Sequence, residues 1–195
     1  LPRTVIYDPE LSLSLPVVMS VTSGLNAIAH AAEGLYAQDS NPVMDLMAEE
    51  GIRALAHALP LVRQQCHDMD ARGDALYGAW LCGAVLGNVG MALHHKLPHA
   101  EVHTVVLPQA MAFNAAAAPM AMTRIERALG ITGRVSAAAG LFDLAANNGA
   151  PVALREIGMK ESDLDRAADI AVSNPYWNPR PIVLAQRGEI RQLLQ

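Results

Sequence analysis

Apolar and polar positions alternate at close to the helical period over residues 102–114, 119–129, 135–147, 162–173 and 185–195, which predicts helices through the second half of the chain. Gly130 and Gly149 stand where helix C-caps are wanted. In the first half, a helix is expected over 23–36. Another should start at Asn41-Pro42, where Asn can cap and Pro suits the first helical position. Pro60 is expected to break or kink it. Residues 75–93 are apolar and uncharged, and the glycines at 78, 83, 87 and 90 lower helix propensity while letting neighbouring helices approach. A central, surrounded helix follows. Pro98 demands a break between His95 and His99. Val5-Ile6-Tyr7 reads as a short strand or extended entry segment, stopped by Asp8-Pro9. Residues 174–181, with three prolines, two aromatics and an arginine, read as a loop of limited flexibility.

Composition narrows the class. Hydrophobic residues make up 52% of the 195 positions and aromatics only 4%, with alanine, leucine and methionine dominant, so an all-α domain is favoured over a β-sandwich. We read residues 1–195 as one helical domain. The net charge of −5 and the lack of any Lys/Arg run argue against nucleic acid as a partner. Cys66 and Cys82 are too few for a disulfide framework, which suggests free thiols in a cytoplasmic setting. The 75–93 run is long enough to cross a bilayer, at roughly 20 residues. Its Gly and Ala content, Asn88 and the histidines that follow favour a buried helix in a soluble protein, away from any membrane. Residues 1–9 lack the parts of a secretory signal and read as the middle of a longer polypeptide.

The chemistry concentrates in two places. Residues 94–103 hold four of the seven histidines, namely His94, His95, His99 and His103. Clustered imidazoles bind cations or move protons near neutral pH, and the competing reading is a set of solvated or hydrogen-bonded loop histidines. The second place is 22–33, where Asn26 and His30 fall four apart on one helix face, sheathed by Leu25, Ile28, Ala29 and Ala32. His57 and His67 read as ordinary helix-surface residues.

Several segments together resemble the iron-containing (group III) alcohol dehydrogenases of the dehydroquinate-synthase-like fold, in particular their maleylacetate reductase branch. They are residues 1–9, Ser23-Gly-Leu-Asn-Ala-Ile-Ala-His30 with Glu33-Gly-Leu-Tyr-Ala37, Asn41-Pro42, His94-His-Lys-Leu97, Leu97-Pro-His-Ala-Glu-Val-His-Thr104 and 174–181. The resemblance implies the helical C-terminal half of a two-domain enzyme, with NADH or NADPH bound mainly by an N-terminal half outside this chain. No Gly-rich turn after a strand is present here to seat a pyrophosphate.

Metal-dependent relatives hold iron or zinc with an Asp and a His four apart plus two later histidines. By motif these positions are Asn26, His30, His95 and His99. A neutral amide is a poorer ligand than carboxylate, so metal binding should be weakened or lost, leaving His30, His95 and His99 as ligands only if a metal is retained. The family also carries about ten more residues between the His-His-Lys and Leu-Pro-His segments, a loop of the kind that is often mobile. Here the two segments are fused. Either those residues are deleted, and a candidate proton-relay group with them, or the sequence omits a loop of the protein, which is the favoured reading.

The implied reaction is reduction of maleylacetate to 3-oxoadipate in aromatic-compound catabolism. His30, His95 and His99 would supply hydrogen bonds and the proton, with Asn26 as a neutral partner. Lys96 and Arg180 are candidates for the carboxylates of a small dicarboxylate substrate, and His94 and His103 for orienting their neighbours. A homodimer is expected. The alternatives are a metal-dependent alcohol dehydrogenase of the same family or a non-catalytic helical module that binds metal or a partner.

Overall fold

The computed structural model describes residues 4–91, 100–173 and 187–194. Its helices are α1 (Pro9–Ser12), α2 (Val17–Gly34), α3 (Pro42–Gln64), α4 (Met69–Asn88), α5 (Ala100–Asn114), α6 (Pro119–Ala128), α7 (Ala137–Asn147), α8 (Leu164–Ser173) and α9 (Arg187–Leu193). Two 3-10 turns, Leu154–Ile157 and Glu161–Asp163, precede α8. The expected all-α class holds, and no strand occurs among the described residues.

Side chains cap the helix starts, at Asn41 as the sequence predicts and at Asp68 and Ser136 besides. Asn41 accepts from the amides of Val43 and Met44 at 3.1 Å, Asp68 from Asp70 at 2.9 Å, and Ser136 from Ala139 at 3.2 Å. Gly130 and Gly149 adopt φ of +67° and +73° after α6 and α7, in the left-handed region that Gly enters most readily. Other expectations need correction. Val5-Ile6-Tyr7 forms no strand, and Asp8-Pro9 starts a helix, with the Asp8 carboxylate accepting from Glu10 N at 2.9 Å. α2 begins at Val17, six residues before the expected start. Pro60 does not end α3, which continues to Gln64 because Leu59 and Val62 are buried on either side of it.

The core is built around α2, α3 and α4, which pack on one another, with α5 on the far side of α2. Glycines set the approach. A Cβ at Gly24 would lie 2.6 Å from Leu59 Cδ2, at Gly51 2.8 Å from Cys82 Sγ, and at Gly78 2.7 Å from Leu55 Cγ. The pairings of Gly51 with Cys82 and of Leu55 with Gly78 make α3 and α4 antiparallel. α4 is less enclosed than its sequence implies: nothing lies within 4 Å of a Cβ at Gly83 or Gly87, and Tyr77, Trp80 and Leu86 are exposed. Only its Gly78 side meets α3 closely. No helix among the described residues is long and apolar enough to cross a membrane.

Charges tie the outer helices to this core. Arg124 of α6 reaches Asp45 at 3.4 Å and Glu49 at 3.2 Å on α3, and Arg127 reaches Glu49 at 3.0 Å. Arg187 and Arg191 of α9 pair with Asp165 of α8 at 3.1 and 3.3 Å, and Arg187 also pairs with Asp169. At the exit of α4, Gly90 N donates to both carboxylate oxygens of Asp39, at 2.9 and 3.1 Å.

Candidate functional site

α2 carries the site because its residues split cleanly by face. Leu25, Ile28, Ala29, Ala31 and Ala32 are wholly or almost wholly buried, whereas Asn26 and His30 are half-buried. At about 100° per residue, Asn26, His30 and Glu33 fall within about 60° of arc, so one stripe holds an amide, an imidazole and a carboxylate on successive turns. The first two are partly exposed and the third is sealed, with Glu33 at 0% exposure.

α5 packs along α2, and its His103 and Thr104 are both buried. Beyond the last turn of α2, Tyr36 faces Asn114 at the end of α5. Burial first, and then the charge of Glu33, push the Tyr36 phenol well above its ordinary range, and the Asn114 side chain works in the opposite sense. Tyr36 Oη and Asn114 Nδ2 are buried and face each other without reaching ordinary hydrogen-bond geometry.

Of the residues the sequence singles out, the structure bears on Asn26, His30 and His103. His94, His95, Lys96, His99 and Arg180 lie outside the described residues. The expectation that imidazoles from the two segments meet is therefore carried forward as part of the proposal below. Among the described residues, no group of three or more His, Cys, Asp or Glu is placed to hold a metal ion. The half-buried residues of the α2 stripe offer one imidazole and one neutral amide, which by themselves fit a divalent cation poorly.

Two features escaped sequence reasoning. Arg72 is 3% exposed and donates to Cys66 O at 3.0 Å, Ser20 Oγ at 2.7 Å and Leu15 O at 3.2 Å. It lines an apolar pocket of about 120 Å³ near the start of α2 that includes neither Asn26 nor His30. The other is the complete burial of Glu33, for which the only signal was a carboxylate inside an alanine-rich helix. Cys82 is buried against Gly51, and burial pushes its thiol up to about 12, so it stays protonated and inert.

Residues 20–195 match the model of the Fe-containing alcohol dehydrogenase family, C-terminal. The chain is 60% identical to the maleylacetate reductase of Burkholderia cepacia over 205 aligned positions, covering 100% of this chain and 56% of that protein. Those 205 positions exceed the 195 residues of the chain, so the relative carries residues that have no counterpart here. The maleylacetate reductase of Pseudomonas sp. (strain P51) is 57% identical over 93% of this chain and 54% of its own length. The crystal structure of maleylacetate reductase from Agrobacterium tumefaciens superposes with a TM-score of 0.92 at 54% identity, covering 100% of this chain and 57% of that one. The chain thus spans about half the length of the relatives it matches. Helical architecture, the α2 stripe and a family match over nearly the whole sequence agree, and the chain belongs to the Fe-containing alcohol dehydrogenase family as its C-terminal helical domain.

Proposed function

We propose that this chain is the helical half of an NAD(P)H-dependent maleylacetate reductase, which saturates the carbon–carbon double bond of maleylacetate to give 3-oxoadipate. Relatives of that name at 60% and 57% identity support the substrate class. The observation that carries the reading is Asn26 one turn before His30 on a half-buried stripe. A carboxylate there would repel a dianionic substrate by about 1–4 kcal/mol at short range, whereas an amide adds no repulsion and offers an N–H donor.

Reduced nicotinamide, which a half of the protein outside this chain would hold, would supply the hydride to the β carbon. The electron pair of the double bond then moves toward the ketone, whose oxygen becomes an enolate. Asn26 and His30 hydrogen-bond the substrate as that charge develops, at the place where donors gain most between ground and transition states. The α carbon takes one proton from an imidazole, which completes the addition of a hydride and a proton across the double bond. His30, His95 and His99 are the imidazoles assigned to this work, with Lys96, His94 and Arg180 at the substrate carboxylates. No step is routed through a metal. In this reading the protein is a homodimer, and the 195-residue chain alone is inactive because half of a cleft cannot hold cofactor against substrate.

The test uses the protein with its preceding half in place. Maleylacetate should drive oxidation of NADH or NADPH, one for each 3-oxoadipate formed, without a stoichiometric metal. His30→Gln should lower kcat about 100-fold or more. Tightly bound iron or zinc, with activity on simple alcohols and none on maleylacetate, would establish the metal-dependent alternative. Turnover by the isolated chain would refute the divided cleft.

A further inference from the structure

The apolar pocket beside Arg72 has no part in the reaction proposed above. Residues of α1, α2, α3 and α4 all contribute to its wall. Leu15, Leu55, Leu59, Val62 and Leu76 make that wall hydrocarbon. Ala75 and Ala79, one turn apart on α4, keep it open, because each adds only a methyl group where a leucine would fill the space. Protein interiors pack to the density of organic crystals, so about 120 Å³ held open among these helices calls for an account.

The polar groups of Ser12, Ser20 and Arg72 are committed within the protein. Ser12 Oγ donates to Pro9 O at 2.7 Å. Ser20 Oγ donates to Pro16 O at 3.2 Å and accepts from Arg72. Each nitrogen of the Arg72 guanidinium already donates to an oxygen. Ser23, also in the lining, is exposed, so the pocket opens to solvent on its side.

These facts select the occupant. A buried water needs several polar partners, and an anion would shed its hydration against donors that are already engaged. A neutral hydrocarbon sheds no such hydration and gains contact with leucine, valine and alanine. Size sets the limit, since an apolar cavity of roughly 150 Å³ stays dry and takes benzene or xenon.

We propose that this pocket is a binding site for a compact, uncharged apolar molecule of the size of benzene. Bound there, the molecule touches α2, α3 and α4 together and braces the first half of α2, the helix that carries Asn26 and His30. The site does not depend on the reductase reading, and either can fail without the other.

The test uses the complete protein, including the half outside this chain, with benzene as the probe. Benzene should bind saturably at one site and raise Tm as its concentration rises. Benzoate, the same ring with a charge, should bind about tenfold more weakly or worse. Ala79→Leu fills the pocket and should weaken benzene binding by a similar factor or more. Should that variant fail to fold, wild-type crystals under xenon pressure still decide, because xenon should lie between Leu59 and Ala79. No saturable benzene binding, benzoate binding as tightly as benzene, unchanged affinity in Ala79→Leu, or xenon only elsewhere would each overturn the proposal. A segment of the other half seated in the pocket would exclude benzene and overturn it too.

Discussion

The two ends of α2 each bury an ionisable side chain, and the surroundings of the two differ. Near the N-terminal end, the Arg72 guanidinium is wrapped by oxygens from three places: the α1–α2 connection, the first turn of α2 and the α3–α4 connection. Its charge is spread over hydrogen bonds that hold chain segments together. Near the C-terminal end, Glu33 lies among groups that include an incompletely matched pair, Tyr36 and Asn114. Structures complete their hydrogen bonding where stability is the only demand, and imperfect satisfaction collects where a site must do chemistry. The difference marks one end as scaffold and the other as site.

Substitutions can break that contrast. The largest effect should come from Arg72→Met, which strips Cys66 O, Leu15 O and Ser20 Oγ of their donor at a buried position. We expect a loss of about 3–5 kcal/mol by chemical denaturation, with activity per folded molecule retained. Next is Gly34→Ala, whose Cβ would lie 2.3 Å from Val85 Cγ1. Valine in a helix has essentially one rotamer, so the helices must part, at about 1–3 kcal/mol and a lower Tm. Gly24→Ala presses on the terminal methyls of Leu59, which can rotate, and should cost less. Ser20→Ala removes a single acceptor from Arg72, for about 1 kcal/mol in the same denaturation assay. Tyr36→Phe should have the smallest effect and the opposite sign. Deleting a buried hydroxyl without a partner should leave stability unchanged or raise it by a few tenths of a kcal/mol. A marked loss there would mean that Tyr36 belongs to the scaffold after all.

Local signals explain most of what the sequence could reveal. Asn41, Asp68 and Ser136 act as caps through their own side chains, and Gly130 and Gly149 take the left-handed conformation. Such residues depend on near neighbours alone, so they can be read from a single chain. Apart from Asp8-Pro9, which caps a helix locally where a stop was expected, the misreadings involve partners distant in sequence. The start of α2 carries Val17, Val18, Val21 and Thr22, poor helix formers that become helical because Val21 and Thr22 are buried against other elements. Pro60 survives inside α3 because the helix on both sides of it is held by buried Leu59 and Val62. Gly83 and Gly87 looked like close-packing notches, yet they face outward, since a glycine pattern does not say which side of a helix meets a neighbour. For the site, spacing alone placed Asn26 and His30 together. The burial of Arg72 and Glu33 became visible only in the structure.

The grip of Asp39 on Gly90 acts as a hasp between two stretches far apart in sequence. One carboxylate secures the amide at the foot of α4 to the turn that follows the helix bearing His30. Asparagine in its place would keep an oxygen for that amide but surrender the charge. Alanine would leave the amide to water, and only the packing of Gly34 against Val85 and Val89 would still hold the two stretches together.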